Sequence, residues 1–402
     1  MNTTATLRSF SSKLYASSAL AAAAFIFTPA NSNAQVVDGT FVVGSGSFDN
    51  TVANQTTINI DAGSTTSVTN FENYNINEGQ SVIYTYNGGV GSATNLSRVT
   101  GGNPSMIFGS LTSTNVNLFL INPAGTVFGS SAVVNVPNLV VSTGGISNSD
   151  FISGVDSGVF NFGASNAGAS ISNAGTITVA NTGLVDLVAP SVTNSGTINA
   201  TAGNINLAGG DSAFTLDFMG DGLVSFAVPA GSNINVENTG ALQAAGGKVA
   251  ISAQDAAGVV SSVINLDGVT EAASVKVTGN TINLGGSITA QNGNNGGTVE
   301  VRGKNTTVST AATINVDATT DGNGGTVEIW GTDVLNFDGQ ISAQGAGTGV
   351  GGFVETSGAE VNIGDKTLIN TLDGDAVGAG MWLIDPTNIV INAGTVSFNL
   401  AF

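Results

Sequence analysis

The chain contains no cysteine and no histidine. The first absence removes disulfides, thiolate zinc sites and cysteine nucleophiles. The second removes a Ser-His-Asp triad, imidazole metal ligation and an imidazole pH switch. Basic residues are also scarce: 8 Lys and Arg stand against 27 Asp and Glu, a net charge of −19. Nucleic acid is therefore excluded as a partner, because phosphate contacts require a basic footprint. Proline is rare at 7 of 402 residues, and charged residues are only 9%. What remains is rich in Gly (56 residues), Asn, Ser, Thr, Val and Ile, with 41% hydrophobic residues. That mixture is too apolar for an ordinary disordered chain and reads as short strands separated by turns.

Residues 1–34 read as a secretory signal peptide. Arg8 and Lys13 precede an apolar run from Ala19 to Phe27, Pro29 interrupts it, and Asn31-Ser32-Asn33-Ala34 supplies a small-residue end. Cleavage near Ala34 is expected. The run falls short of the ~20 residues that a bilayer-spanning helix needs. A cysteine-free exported chain also suits passage through the periplasm, where disulfides form.

The rest of the chain repeats. Gly296-Gly297-Thr298-Val299-Glu300-Val301, Gly324-Gly325-Thr326-Val327-Glu328-Ile329 and Gly351-Gly352-Phe353-Val354-Glu355-Thr356 recur at intervals of 28 and 27 residues. An earlier unit, Asn-x-Gly-x-hydrophobic, starts at Asn173, Asn194 and Asn238, with gaps of 21 and then 44. Each unit reads as two short alternating strands joined at Gly and Asn corners. No segment shows helical periodicity over three turns. A period of 20–30 residues with such corners predicts an all-β solenoid, a parallel β-helix of about 14–18 rungs. Stacking rungs would bury the inward Val, Ile and Leu of each in a continuous column. An antiparallel sandwich is the alternative, disfavoured because sandwiches do not repeat this evenly.

Residues 35–145 are less repetitive. They carry Phe71-Glu72-Asn73-Tyr74-Asn75-Ile76-Asn77-Glu78-Gly79-Gln80, then Ser97-Arg98-Val99-Thr100-Gly101-Gly102-Asn103-Pro104-Ser105, then Asn117-Leu118-Phe119-Leu120-Ile121-Asn122-Pro123-Ala124-Gly125. With Gly351–Gly358 and Trp382-Leu383-Ile384-Asp385-Pro386 further on, these ordered blocks resemble the filamentous-haemagglutinin-type exoproteins of the two-partner secretion family. The resemblance covers most of the chain. It implies a right-handed parallel β-helix with an N-terminal β cap and small extra-helical hairpins. It implies a two-partner secretion domain over 35–280 and continuing repeats over 281–402, the latter read as a truncated passenger. It implies export through an outer-membrane β-barrel transporter of the polypeptide-transport type and an adhesin-like role at a host or neighbouring cell surface, with glycans among the candidate ligands. The family's Asn-Pro-Asn-Gly block matches Asn122, Pro123 and Gly125, while Ala124 departs from it. Asn103, Pro104, Asn117, Asn122, Pro123 and Gly125 are accordingly the candidates for partner recognition or for a cap turn. Asn-Pro-x-Gly also forms a turn unaided. The expectation from the sequence is that Asn122→Ala or Gly125→Val reduces secretion more than stability.

Other chemistry is weakly signalled. A contact toxin or haemolysin would use the same route, but no downstream effector region is recognisable. A carbohydrate-active β-helix enzyme would need paired carboxylates. The candidates are Asp217 with Asp221, and Glu300 beside Arg302 and Lys304, and nothing in the sequence fixes their separation. Asp217–Asp221 reads instead as part of a hairpin insert with Asp221-Gly222 as its turn. Glu300, Glu328 and Glu355 would form a carboxylate ladder that either faces water or is bridged by a cation, and Asp321-Gly322-Asn323-Gly324 hints at a calcium loop. Val396–Phe402 alternates like a barrel strand, but one strand cannot close a barrel. No cofactor, metal site or catalytic residue is assigned, and the chain is not read as an enzyme.

Overall fold

The structure, a computed structural model, describes residues 36, 39–220, 224–227, 233–253, 262–373 and 378–387. The signal-peptide segment, the Asp221-Gly222 turn and the tail from 388 onward lie outside them.

The repeats close into rungs of three strands each. One rung runs through Thr176–Val179, Leu184–Ala189 and Ser191–Asn194, and the next begins at Thr197. Each strand pairs in parallel with its counterpart 18–46 residues away, so three parallel faces are built side by side. On the first face twelve strand positions stack in unbroken order, from Gln55–Ile60 to Leu368–Asn370. The fold is a parallel β-helix, and its stacking passes through residue 280 without a break in architecture. Two expectations need correction. There are three strands per unit instead of two: Ser191–Asn194 is a strand of its own that ends at the asparagine of the Asn-x-Gly corner. There are twelve rungs among the described residues, because 143–169 and the described residues of 210–233 leave the solenoid and add no rung.

Alternation places one side of every strand inside. Ile177, Ile198, Leu242, Ile288, Ile314 and Ile341 form one inward column, each 0–5% exposed. Burying each such side chain contributes about 1.5–3 kcal/mol. No single rung can do so alone.

The corners explain the glycines. Gly175, Gly196, Gly240, Gly268 and Gly286 sit directly over one another. A Cβ on any of the last four would lie 2.1 Å from the carbonyl oxygen of the glycine one rung before. Beside them the Asn-x-Gly signature forms a buried ladder. Asn173 Nδ2 donates to Asn194 Oδ1 at 2.8 Å, and Asn194 Nδ2 to Asn238 Oδ1 at 2.7 Å.

The N-terminal end is capped by antiparallel strands. Thr40–Val43 pairs with Thr66–Phe71, and Gly46–Asp49 pairs with Gln55–Ile60. Phe48 meets Phe71 edge-on at 6.1 Å, and Phe71 meets Tyr74 at 5.1 Å, so aromatic rings cover the mouth of the column. Just inside lies a polar network. Asn95 Nδ2 donates to Ser67 Oγ (2.9 Å) and Thr69 Oγ1 (3.2 Å), Ser97 Oγ donates to Asn95 Oδ1 (2.8 Å), and the Tyr84 hydroxyl bonds Ser97 Oγ (2.6 Å) and Tyr74 (3.1 Å). Burial, opposed by the Ser97 and Tyr74 hydrogen bonds, pushes the Tyr84 phenol up to about 12.

The two segments that leave the solenoid do so at the same corner, between the second and third faces. Segment 143–169 carries a helix, α1 (Asn148–Ser157), capped by Ser147 at its start and by Gly158 (φ 80°) at its end. It also carries strand Val159–Phe162, which pairs antiparallel with Phe214–Asp217 of the second segment, itself paired with Val224–Phe226. This helix-and-sheet flap lies over the outer wall of the second face. Phe151, Phe160, Phe214 and Leu216 bury Leu96, Phe119, Val140, Leu184 and Val188 in a second apolar cluster. The hairpin was legible from the insert around Asp217. The ten-residue helix and the strand from the first segment were not.

Candidate functional site

The signature block Asn122-Pro123-Ala124-Gly125 is a turn at the second-to-third corner of the third rung. Gly125 N–H donates to Asn122 O at 2.9 Å, and Ala124 N–H donates to Asn122 Oδ1 at 2.9 Å, so the asparagine side chain closes the turn on itself. Asn122 Nδ2 reaches the preceding rung, donating to Asn103 O (3.0 Å) and Ser105 Oγ (2.9 Å). Asn122 is fully buried. Gly125 adopts φ 109°, and a Cβ there would lie 2.6 Å from Ser170 O on the next rung. The side chain that closes the turn is that of Asn122, and Ala124 contributes its backbone N–H to it.

The six candidate residues therefore divide. Asn122 and Gly125 are interior and hold consecutive rungs in register. Asn103 and Pro104 are exposed on the neighbouring loop, and Pro123 is half-buried, its carbonyl accepting from Asn166 Nδ2 at 3.3 Å. Asn117 lies on the second-face strand Val116–Ile121 and not at this turn. Its Nδ2 donates to Thr94 Oγ1 (3.2 Å), and its Oδ1 accepts from Asn138 Nδ2 (2.7 Å). The surface offered here is thus Asn103, Pro104 and Pro123 on two adjacent rungs, tied together from beneath by Asn122. Sequence reading missed Ser105, Asn138 and Asn166; the only signal was an asparagine recurring near each corner.

The carboxylate ladder exists. Glu300, Glu328 and Glu355 are register partners on successive rungs and point outward. Arg302 answers the charge: its Nε meets Glu300 Oε1 at 2.5 Å and its Nη2 meets Glu328 Oε2 at 3.1 Å, while its guanidinium lies 4.8 Å over the Trp330 ring. Lys276 Nζ adds a contact to Glu300 at 3.4 Å. Burial would raise the Glu300 carboxyl, but the Arg302 hydrogen bond and the Lys276 charge more than offset it and hold it below its ordinary value. Lys304 turns away to Asp333 at 3.5 Å. Asp321, suggested as a calcium ligand, uses Oδ1 to accept Thr348 N–H (2.9 Å) and Thr348 Oγ1 (2.8 Å) one rung on, and Asn323 Oδ1 accepts Val350 N–H at 3.0 Å. Among the described residues, no group of three or more acidic side chains is arranged to hold a metal ion.

Asp217 Oδ1 accepts Gly220 N–H at 2.9 Å within its own hairpin; its suggested partner Asp221 lies outside the described residues. One surface depression, about 430 Å³ between Val308, Phe337, Asp338 and Ile363, offers a single carboxylate, and Asp338 already accepts Lys366 N–H at 2.7 Å.

The architecture is a capped parallel β-helix with an external flap and an Asn-Pro-x-Gly corner. The chain belongs to the family described as the TPS secretion domain, which matches residues 35–301. It is therefore an exoprotein of two-partner secretion. The crystal structure of the HMW1 secretion domain from Haemophilus influenzae is similar, with a TM-score of 0.67 and 26% identity over 87% of this chain and 100% of that one. No curated protein matched.

Proposed function

We propose that this chain is the exported partner of an outer-membrane β-barrel transporter of the polypeptide-transport type, delivered to the cell surface or released as an adhesin. The family match over residues 35–301 carries the reading. Residues 1–34 act as the signal peptide, cleaved near Ala34. Residues 35–280 serve as the secretion domain, and 281–402 begin the displayed rod. Asn103, Pro104 and Pro123 form the docking surface for the transporter's periplasmic part, which Asn122 and Gly125 support from inside. No catalytic residue is needed. An unfolded chain crosses the outer membrane, and each rung that folds outside is stabilised by the one before it, so return is disfavoured. The proposed surface ligand is a host or neighbouring-cell component, with glycans the first class to test.

The test is co-expression in a Gram-negative host with and without a matched transporter barrel. The account requires the chain outside the cell only when the barrel is present. Equal release without it would overturn the export reading, and secretion without any binding to glycan arrays or cells would overturn the adhesin reading alone.

A further inference from the structure

Asp186 is the least expected residue in the wall. It sits on the second-face strand Leu184–Ala189 and points outward, yet it is fully buried, because the flap covers it. Its register neighbours are Val140 on one side and Asn206 on the other. Leu184 and Val188 flank it on its own strand, within the cluster formed by Phe151, Phe160 and Leu216. Asn206 Nδ2 donates to Oδ1, while Oδ2 has no partner at all. The charged residues on the surrounding elements do not neutralise it. Asp150 and Asp156 lie on α1, Asp211 and Asp217 on the hairpin segment, Arg98 three strands away on the same face binds Ile146 O and Asn148 Oδ1, and Lys248 is exposed at a neighbouring column; none forms an ion pair with Asp186.

We propose that Asp186 is a proton-operated latch: with its carboxyl protonated the flap stays closed on the apolar wall, and with its carboxyl ionised the flap opens. An unpaired carboxylate in an apolar cluster carries a heavy desolvation cost, and a neutral carboxylic acid a much smaller one. Burial accordingly holds this carboxyl well above the ordinary carboxylate range, with the Asn206 hydrogen bond opposing it. Flap opening returns the group to water and to its ordinary pKa of ~3.9. The closed state thus binds the proton more tightly than the open one. The closing preference is complete below about pH 4 and weakens as pH rises, until the closed-state carboxyl itself ionises. In that window the opening equilibrium rises about tenfold per pH unit. What opening would uncover is Leu96, Phe119, Val140 and Val188, an apolar strip on the same face that carries the Glu300–Glu355 ladder further along.

The test is hydrogen exchange of the full chain at pH 5 and pH 8, read in peptides covering 148–162 and 214–220 and corrected for intrinsic exchange rates. The latch requires at least tenfold faster corrected exchange of these peptides at pH 8, with the inner rungs at 176–179 and 197–199 unchanged. Asp186→Asn, which keeps the shape and removes the charge, must abolish the difference. A wild-type flap whose corrected exchange is independent of pH, or an Asp186→Asn chain that keeps the wild-type pH dependence, overturns it. Asp186→Ser serves as the second variant: it removes the charge with less bulk, so loss of pH dependence in both variants separates ionisation from packing.

Discussion

Asn122→Ala separates a turn that a transporter touches from a turn that only holds the fold. The substitution removes three hydrogen bonds, at 2.9, 3.0 and 2.9 Å, to Ala124 N–H, Asn103 O and Ser105 Oγ. Ser105 is fully buried, so its hydroxyl loses a partner that water cannot replace without reopening the corner. Each buried group left short costs about 1–3 kcal/mol, and partial repacking brings the expected total to about 2–4 kcal/mol. Urea unfolding of the purified secretion domain should show that loss as a lowered midpoint with an unchanged slope. Secreted yield should fall with it. Pro104→Ala combined with Asn103→Ser alters only exposed side chains and should change stability by less than about 0.5 kcal/mol, yet lower secretion if the loop docks on the transporter. An Asn122→Ala domain with the wild-type urea midpoint and no secretion would refute the reasoning, since it would mean that the asparagine side chain meets the transporter directly.

Gly240→Ala places a Cβ 2.1 Å from Gly196 O and should cost about 1–3 kcal/mol in denaturant unfolding, whereas Gly63→Ala, with nothing within 4 Å, should be neutral or slightly stabilising. Tyr84→Phe should cost about 1–2 kcal/mol by leaving the Tyr74 and Ser97 hydroxyls short. In the wild type the raised phenol predicts stability that is full below pH ~10 and lost as pH climbs through about 12, visible in an alkaline absorbance titration. Arg302→Ala should weaken stability by roughly 0.2–1 kcal/mol at low salt and less at high salt, because its partners are partly solvated. The depressed Glu300 carboxyl adds stability above its unfolded pKa of ~4.3 that disappears as pH falls through the folded value, and Arg302→Ala should shrink this acid-side loss.

Repetition made the solenoid readable. The Asn-x-Gly unit maps onto a real ladder, Asn173–Asn194–Asn238, and its 44-residue gap is a single rung lengthened by the excursion after Gly209. The doubled glycines at 296, 324 and 351 mark corners where backbones nearly touch. The flap was half legible. A hairpin insert shows itself by breaking the repeat, but its pairing with Val159–Phe162 joins residues more than fifty positions apart, and no local pattern encodes that. Leu184-Val185-Asp186-Leu187-Val188 reads as a strand buried on both faces, and nothing in it announces a flap above. At the signature turn the pattern Asn-Pro-x-Gly announces a corner but not which of its residues face inward. That depends on which side of a corner Asn122 Nδ2 points, a matter of one bond rotation.

The stacking itself is most directly tested with paired cysteines, which are unambiguous in a chain that has none. Asn199 and Gln243 are register partners 44 residues apart, and Asn265 and Asn283 are hydrogen-bonded partners 18 apart. With Asn199→Cys/Gln243→Cys and Asn265→Cys/Asn283→Cys, one short bifunctional thiol reagent should link both pairs at comparable rates, and should not link Asn199→Cys to Asn283→Cys. A linked 265–283 pair beside an unreactive 199–243 pair would contradict three continuous parallel faces.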